Sequence, residues 1–433
     1  MGVKADYVII HANELLTMRG FSNRPKVREE LSDPGIIRDG AVAIKGDKIV
    51  AVGTTKEVLD RVEGKFETID ASGMTVTPGF IDGHVHLIFA GSREDEMELM
   101  IKGVPYLEIK KKFGGMNRTV KLTREASTDE LLKKTLRILD RMLLYGTTTI
   151  EAKSGYEMTL EGEIRQLELI RLLNKMHPID LVPTFCAQAI PPEWEGKEDE
   201  FAKVIATQWV PEFVKRGLVE YCDVFAEVGF FNMKQTRMIL EACKDLGVKL
   251  KIHADWLAHS GGGELGVELG VVSADHLIHT PMEVIDKIAE KGIIGIFCPT
   301  TPFMYLGRYA NAREIIRRGV PVALGTDLSA ANMSESMQMM MTIAATQMKM
   351  TPSEVFSAAT INAAHSINRG HIIGSIEEGK KADIVILDIP NHKFISYHYG
   401  VNHVKTVFKN GQIVVDNGSL VKETLRKLYS YTY

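Results

Sequence analysis

The stretch Val76-Thr-Pro-Gly-Phe-Ile-Asp-Gly-His-Val-His86 begins as an apolar run with β-branched residues and ends in two histidines. Such a run predicts a buried strand, and residues two apart in a strand point to the same face. His84 and His86 can therefore bind one ion together. Two later runs end in a similar way, one with His253 and the other with Asp327.

These four side chains suit one kind of metal site. Imidazole and carboxylate ligands together favour zinc or iron, and three or four protein ligands plus a water are typical of a catalytic centre. A single His-x-His pair is often accidental, but ligand-type residues at three strand ends indicate a site. We therefore predict a catalytic metal ion bound by His84, His86, His253 and Asp327. The alternative for Asp327 is that it caps the helix that follows.

Eight apolar or β-branched runs follow one another along the middle of the chain, and helical patterns separate most of them. Strand–helix alternation predicts a parallel sheet, and eight such repeats predict a TIM-like (β/α)₈ barrel. The predicted strands are residues 75–81, 147–152, 180–187, 222–228, 249–254, 271–277, 293–298 and 320–326. The predicted helices include residues 128–145, 161–176, 198–216, 234–247, 282–290 and 309–318.

An open doubly wound sheet is the alternative to this barrel. The candidate ligands end the first, fifth and eighth predicted strands, and His276 ends the sixth. In an open sheet these strand ends would not all meet at one point. In a barrel the carboxyl ends of all strands face the same mouth. The placement of the polar residues therefore favours the barrel.

Both ends of the chain have the pattern of short strands. Asn410-Gly411 stands between two such runs and is a strong signal for a hairpin. Because these pieces are too small for separate cores, we predict that they fold together. The expected division is a β-sandwich domain from residues 1–75 and 372–433 and a barrel domain from residues 76–371.

The composition is that of an ordinary globular protein, with 433 residues, 45% hydrophobic and 25% charged. A formal net charge of −4 gives no electrostatic reason to expect nucleic acid or an anionic membrane as a partner. The four cysteines form no Cys-x-x-Cys pair, which indicates buried thiols in a reducing compartment. No window approaches the roughly 18 uninterrupted apolar residues of a membrane span. We expect a cytoplasmic protein.

The predicted site fits hydrolysis at a carbon–nitrogen bond. A bound divalent ion lowers the pKa of its water from ~15.7 towards about 7. Asp327 can take the proton of that water and pass it to a leaving nitrogen, while His276 stabilises the oxyanion. A purely structural role is the alternative for His276. The chain has no phosphate-binding glycine loop, serine nucleophile elbow or dinucleotide fingerprint.

The segment 87–127 is long for a connection between a strand and its helix, and such loops are usually functional. We predict that it forms a partial lid over the mouth and contributes Arg93 and Tyr106 to it. A guanidinium group suits a carboxylate, which favours an anionic substrate. The alternative for Arg93 is a surface ion pair with Glu94 or Glu96.

Longer motifs carry a resemblance to a known family. The stretch that ends at His86, together with the late Gly325-Thr-Asp327, resembles the amidohydrolase superfamily of metal-dependent hydrolases. The resemblance to the imidazolonepropionases is closer and covers nearly the whole chain. It rests on Phe89-Ala-Gly-Ser-Arg-Glu-Asp-Glu96, Tyr106-Leu-Glu-Ile109, Glu151-Ala-Lys-Ser-Gly-Tyr156, His177-Pro-Ile-Asp-Leu-Val-Pro-Thr-Phe185, Lys251-Ile-His-Ala-Asp255, Val272-Ser-Ala-Asp-His-Leu277 and Thr360-Ile-Asn-Ala-Ala364.

The resemblance implies a barrel with a β-sandwich made from both termini, and one divalent ion, with zinc favoured over iron. The ligands it implies are the residues that match His84, His86, His253 and Asp327. It also implies substrate contacts from Arg93, Tyr156 and His276. Some superfamily relatives use a carbamylated lysine to bridge two ions, and Lys153 is the candidate here. The close family is mononuclear, so we expect one ion.

The chain departs from the family at the substrate pocket. Gln188 stands where the family has a histidine, and Trp256 stands where it has a glutamate. After the metal-binding aspartate, Ser329, Ala331 and Asn332 replace the expected substrate-contacting residues. Because the changes cluster at the pocket while the metal ligands are intact, we expect the reaction class to survive and the accepted ring to differ.

We therefore predict a metal-dependent amidohydrolase that opens a cyclic amide, ureide or amidine, on an anionic five-membered or fused ring. The predicted substrate-binding residues are Arg93, Tyr106, Tyr156, Gln188, Trp256, Ser329 and Asn332. Three alternatives stay open: an orthodox imidazolonepropionase of histidine degradation, a deaminase of an amino-substituted heterocycle, and a non-catalytic scaffold. We expect a small cyclic molecule as partner, no nucleic acid or membrane partner, and a homodimer.

Overall fold

The computed structural model describes residues 2–104, 108–109 and 114–429. Its central feature is a parallel sheet of eight strands that lie side by side in the order in which they occur in the chain. The strands are β1 Phe80–Val85, β2 Thr147–Lys153, β3 Asp180–Ala187, β4 Tyr221–Ala226, β5 Lys249–Ala254, β6 Ser273–His276, β7 Ile294–Phe297 and β8 Val322–Leu324. This is the strand order of the predicted (β/α)₈ barrel.

The residues that follow β8 return to β1 and join the two ends of this sheet. The N–H group of Asp327 donates a hydrogen bond of 2.9 Å to the carbonyl oxygen of His84. The N–H group of His86 donates one of 2.8 Å to the carbonyl oxygen of Leu328. These contacts are those of a barrel, so the open doubly wound sheet is excluded.

The first barrel strand begins later than predicted. The run 75–81 contains two strands, because Thr75–Pro78 pairs with Ile384–Leu387 in a different sheet and β1 starts at Phe80. Gly79 lies between the two strands, and a Cβ atom there would lie 2.3 Å from the hydroxyl oxygen of Thr148. A glycine is therefore required where the chain passes from one sheet to the other.

The helices predicted between the strands are present. Five of them are Thr128–Leu144, Leu160–Met176, Met233–Asp245, Met282–Glu290 and Ala312–Arg318. The predicted helix 198–216 consists of Glu198–Val204, a π-helical turn Ile205–Trp209 and Val210–Lys215. The other helices of the barrel region are Gly262–Leu269, Thr300–Met304, Met337–Met348, Pro352–Ala359 and Ile361–Ser366, with a 3₁₀ turn Pro192–Trp194.

Two sheets are built outside the barrel. The larger contains strands from both ends of the chain: Glu14–Leu16, Ile36–Ile37, Thr75–Pro78, Ile384–Leu387, Val404–Lys409, Gln412–Asp416 and Ser419–Leu420. The smaller contains Tyr7–Ala12, Gly40–Lys45, Lys48–Thr54 and Glu67–Asp70, and a separate pair joins Val3–Lys4 to Val62–Glu63. Helices Thr55–Leu59, Phe394–Tyr397 and Lys422–Leu428 and the 3₁₀ turn Arg28–Ser32 accompany these sheets in sequence.

The two outer sheets share one buried core. Ile9 and Val42 of the smaller sheet pack in the same apolar cluster as Ile384 and Phe408 of the larger one. This packing agrees with the expectation that the strands from both ends fold together. The division of the chain into 1–75 with 372–433 and 76–371 stays a prediction.

Lys409 connects the larger outer sheet to the barrel. Its side chain is fully buried, and Nζ donates hydrogen bonds of 2.6 Å to Asp383 Oδ2 and 2.9 Å to Asp180 Oδ2. Asp180 is the first residue of β3. Removal of one member of a buried ion pair strongly destabilises a fold, because it leaves a charge without compensation.

The predicted lid differs from a single long loop. Segment 87–127 contains the helices Glu94–Ile101 and Met116–Glu125. Tyr106, which we predicted to contact substrate, lies outside the described residues. Within the described part of the chain, none of the helices has the length and apolarity that crossing a bilayer requires.

Candidate active site

Four histidines meet at the carboxyl ends of the barrel strands. His84 lies in β1 with His86 just beyond its end, His253 lies in β5, and His276 ends β6. The ring centre of His84 lies 4.5 Å from that of His253, 5.2 Å from that of His86 and 5.3 Å from that of His276. All four side chains are buried. The barrel thus gathers the histidines that the sequence places at three separate strand ends.

Asp327 completes a group of atoms with the spacing of metal ligands. Its Oδ1 lies 3.4 Å from Nε2 of His86 and 3.6 Å from Nε2 of His84. Ligand atoms around a tetrahedral ion with bonds of about 2.1 Å lie about 3.4 Å apart. Nitrogen atoms of His84, His86 and His253 also lie within 4.8 Å of one another. Asp327 thus lies at ligand spacing from two of the histidines, and the three histidines lie close enough together to share one ion.

The hydrogen bonding of His84 supports this assignment. Its Nδ1 lies 2.6 Å from Oδ2 of Asp275, whereas its Nε2 is buried with no hydrogen-bond partner among the described residues. A ligand histidine commonly directs one nitrogen to the metal and the other to a carboxylate. Burial lowers the pKa of His84 well below its usual range, so the ring is neutral and can donate electrons to an ion.

A buried group of charges surrounds the ligand histidines. Nδ1 of His253 lies 3.0 Å from Oδ2 of Asp223. Lys153 donates hydrogen bonds of 2.6 Å to Asp223 and 2.8 Å to Glu151, and its Nζ lies 3.9 Å from Asp275. Burial opposes the charged ammonium, but attraction to these three carboxylates raises the pKa of Lys153 well above its usual range. A carbamate would add a negative charge among three carboxylates, which argues against the carbamylated form.

Asp327 and His276 both occupy unusual backbone conformations. Their φ angles are +51° and +77°, a region that residues other than glycine seldom adopt and that is often found at functional sites. Thr301 donates its hydroxyl hydrogen to Oδ2 of Asp327. Burial raises the pKa of Asp327 to about 6, and a cation beside it would favour the charged form. A bound cation would therefore keep the carboxylate ionised, as a ligand and a proton acceptor require.

His276 lies against the aromatic wall of the pocket. The ring centres of His276 and Trp256 are 5.8 Å apart with an angle of 29° between the planes, and Tyr305 meets Trp256 edge-on at 5.3 Å. Burial lowers the pKa of His276 well below its usual range. The ring is therefore neutral at physiological pH and carries a single N–H donor. The stacked indole restrains the direction in which that donor can point.

A pocket opens above the histidines. The empty space within it, open solvent at the mouth included, is about 430 Å³. Six predicted substrate-binding residues line it: Arg93, Tyr156, Gln188, Trp256, Ser329 and Asn332. Tyr106 remains outside the described residues. Among the described residues that line the pocket, Asp327 is the only carboxylate.

Arg93 is paired within the protein. Its Nε donates a hydrogen bond of 3.0 Å to Oε2 of Glu96, and both side chains are buried. The alternative considered from the sequence, an ion pair with Glu94 or Glu96, is therefore present with Glu96, but it is an interior pair and not a surface pair. The pairing fixes the guanidinium group at the edge of the pocket.

Gln188 and Asn332 also have partners. Oε1 of Gln188 lies 3.0 Å from the thiol of Cys186, which donates to it. Nδ2 of Asn332 donates hydrogen bonds of 2.9 Å to the hydroxyl of Thr300 and 3.0 Å to the carbonyl oxygen of Thr326. Asn332 thus holds the loop after β8 in place in addition to lining the pocket.

Some residues of the site were not predicted. Met116, Phe225, Thr301 and Tyr305 line the pocket, and Asp223 and Asp275 support the histidines. A charged residue inside an apolar strand run is a signal for a functional carboxylate, and both aspartates have it. The four lining residues have no such signal, because Met, Phe, Thr and Tyr occur in ordinary loops and cores.

Comparison with known proteins agrees with this site. A family model described as the amidohydrolase family matches residues 75–414. The imidazolonepropionase of Geobacillus kaustophilus is 47% identical over 414 residues, which cover 94% of this chain and 98% of that protein. The imidazolonepropionase of Alkaliphilus metalliredigens is 46% identical over 420 residues, which cover 96% of this chain and 99% of that protein.

Solved structures with the same fold have lower identity. An adenosine deaminase from Xanthomonas campestris with bound zinc has a TM-score of 0.72 and 19% identity, covering 99% of this chain and 97% of that chain. The atrazine chlorohydrolase of Arthrobacter aurescens complexed with zinc has a TM-score of 0.70 and 18% identity, covering 97% of this chain and 98% of that chain. At these identities the likeness shows the fold alone.

The ligand group leads to a prediction about metal content. His84→Ala should remove most of the bound divalent ion, because it deletes one ligand and leaves Asp275 without its partner. Asp327→Asn should lower metal content or nearly abolish turnover, because it weakens a ligand and removes the proton carrier. The measurement is elemental analysis of the folded protein after gel filtration.

The matched control is His371→Ala, which removes an exposed imidazole and should leave the metal content unchanged. Wild-type metal content and full activity in His84→Ala or in Asp327→Asn would show that the ion is bound elsewhere.

Proposed function

Because the chain belongs to the amidohydrolase family, we propose that it is an imidazolonepropionase-like enzyme that opens a cyclic amide, ureide or amidine by hydrolysis. The observation that carries the proposal is the position of His84, His86, His253 and Asp327 beside His276 at the mouth of the barrel. Histidine and carboxylate ligands at tetrahedral spacing suit zinc, which we propose as the ion in preference to iron.

Each residue has a distinct task in ring opening. When bound, a divalent ion would lower the pKa of a water molecule and so supply the nucleophile. Asp327 takes a proton from that water and passes it to the ring nitrogen as the carbon–nitrogen bond breaks. The N–H group of His276 donates a hydrogen bond to the carbonyl oxygen while negative charge develops there. The net change is the addition of one water.

We propose that the substrate is anionic. Arg93 brings a permanent positive charge to the edge of the pocket, and its planar guanidinium group suits a carboxylate. Asp327, the only carboxylate among the described lining residues, belongs to the metal ligands. Tyr156 lines the same space, with its ring centre 6.0 Å from that of His86. An anionic group that binds here would share the guanidinium group with Glu96.

The identity of the ring has two candidates. Sequence identity of 46–47% with imidazolonepropionases over almost the whole chain supports imidazolone propionate. The pocket residues Gln188 and Trp256 support a flatter or differently substituted ring, because Trp256 presents an indole face where the family has a carboxylate. We propose the second candidate, since a pocket that hydrogen-bonds its substrate discriminates strongly when those partners change.

The setting of the enzyme remains a proposal as well. We propose a small cyclic molecule as the binding partner. A homodimer, a cytoplasmic location, and no nucleic acid or membrane partner stay predictions from the sequence.

The ring-opening mechanism predicts a particular product. A turned-over cyclic amide should gain the mass of one water and lose no nitrogen, because the broken bond lies within the ring. Mass spectrometry of the product and an ammonia assay on the same reaction measure both quantities. Ammonia released in step with turnover, with the ring retained, would instead assign the protein to the deaminases.

The pocket residues predict altered specificity. Wild-type protein should have a lower kcat/KM for imidazolone propionate than for the best substrate in a screen of hydantoins, lactams, imidazolones and ureides. The double substitution Gln188→His with Trp256→Glu restores the family residues, so it should raise kcat/KM for imidazolone propionate by about 10-fold or more, the value of one restored hydrogen bond to a charged group.

The control variant for this comparison is Ser329→Ala, which changes a residue that lines the pocket but restores no family residue. An ordinary enzymatic kcat/KM for imidazolone propionate in wild-type protein, of order 10⁴ M⁻¹s⁻¹ or more and above that of every other ring, would establish the orthodox activity.

A further inference from the structure

We propose that Lys153 is a positioning residue of the metal centre, which holds two of the ligand histidines through two carboxylates. Lys153 is fully buried at the end of β2. Its single ammonium group donates hydrogen bonds to Asp223 and Glu151 over 2.6 and 2.8 Å and lies 3.9 Å from Asp275. No other lysine of the described chain lies within 4.0 Å of three buried carboxylates.

The two aspartates connect this ammonium group to the ligands. Oδ2 of Asp223 lies 2.6 Å from Lys153 and 3.0 Å from Nδ1 of His253. Oδ2 of Asp275 lies 3.9 Å from Lys153 and 2.6 Å from Nδ1 of His84. In both cases the same carboxylate oxygen faces the lysine on one side and a ligand histidine on the other. The lysine therefore acts on both histidines from a single point.

Glu151 extends the group towards a second lysine. Its Oε2 lies 3.4 Å from Nζ of Lys251, and that Nζ also lies 3.3 Å from the carbonyl oxygen of Gly83, the residue before His84. All of these side chains are buried. Lys153 hydrogen-bonds the carboxylate beside His253 and lies 3.9 Å from the carboxylate beside His84, so its removal should affect the ion more than a general loss of buried charge would.

The physical consequence concerns ring orientation. A carboxylate that fixes the Nδ1 side of a ligand histidine determines where its Nε2 points, and loss of such a partner typically weakens metal binding 10- to 100-fold. Without Lys153, Oδ2 of Asp223 loses its hydrogen-bonded cation, and a buried charge without compensation is destabilising. Asp275 loses one nearby charge but keeps the hydrogen bond from Ser273. His253 then loses its fixed orientation, and His84 is held less firmly.

The test measures zinc affinity directly, by competition with a chelator in the absence of substrate. Lys153→Met should weaken zinc binding about 10- to 100-fold. Lys409→Met is the matched control, because Lys409 is equally buried and bridges two carboxylates away from the site. It should lower thermal stability but keep zinc affinity. Equal zinc affinity for Lys153→Met and wild type, or equal losses in Lys153→Met and Lys409→Met, would overturn the proposal.

A second set of variants covers the case in which Lys153→Met fails to fold. Asp223→Asn keeps the side-chain volume, and the double variant Lys153→Met with Asp223→Asn removes one charge of each sign. If Lys153 acts through Asp223, the two effects are not additive, so the zinc affinity of the double variant should lie within about threefold of Asp223→Asn alone. A double variant that binds zinc 10-fold or more weakly than Asp223→Asn would show that Lys153 does not act through Asp223 and would overturn the proposal.

This inference rests on the metal site of the proposed function but not on the substrate. If His84→Ala retains its metal, the site itself is wrong. If His84→Ala loses the metal while Lys153→Met retains full affinity, the site stands and the role of Lys153 alone fails.

Discussion

The proposed metal ligands of this protein are held by the hydrogen bonds that join β1 to the residues after β8. Asp327 donates its N–H to the carbonyl oxygen of His84, so two ligand residues are themselves the point of closure. Close by, the carboxylate of Asp82 accepts hydrogen bonds of 2.9 and 2.6 Å from the N–H and hydroxyl groups of Thr326. A slip of one residue would turn His84 and His86 to the opposite face, because side chains alternate along a strand.

The burial of charged and polar side chains beside the site costs free energy, and this cost explains why they are paired inside the barrel. The four histidines, the three carboxylates around Lys153 and two lysines are buried near the mouth, where charges without partners are energetically costly. The structure compensates by pairing: Lys153 with Asp223 and Glu151, and Asp275 with His84. The nitrogen that remains without a partner in His84 is the one directed towards Asp327. A cation at that point would satisfy this nitrogen.

Much of the architecture could be predicted from the sequence, because the strands of the barrel and the spacing of the candidate ligands leave simple repeating patterns in it. His84 and His86 are two residues apart in a strand, and eight alternating runs indicate the barrel. The predicted start of β1 was wrong. Thr75–Pro78 and Phe80–Val85 are both apolar strands, and the periodicity of a sequence cannot show that neighbouring strands belong to different sheets. The predicted lid was incomplete, because segment 87–127 was predicted to be a loop and contains helices Glu94–Ile101 and Met116–Glu125.

The sequence predicted which candidate ligands the barrel brings together. It did not predict the contacts that support them. Which carboxylate meets which histidine depends on strand register, and a sequence pattern does not contain register. The pairing of Arg93 with Glu96 and the stacking of Trp256 on His276 likewise depend on how loops from different strands meet. Residues that differ from the family pattern, such as Gln188, indicate where the pocket lies. They do not show which groups the substituted side chain contacts.

On the proposal made here, one divalent ion is bound by the four side chains at the closure of the barrel. Anomalous scattering from a crystal of zinc-loaded protein, recorded on both sides of the zinc absorption edge, tests this binding most directly. We expect a single strong peak within bonding distance of His84, His86, His253 and Asp327. A peak at another cluster, or no peak at these residues in protein that retains activity, would contradict it.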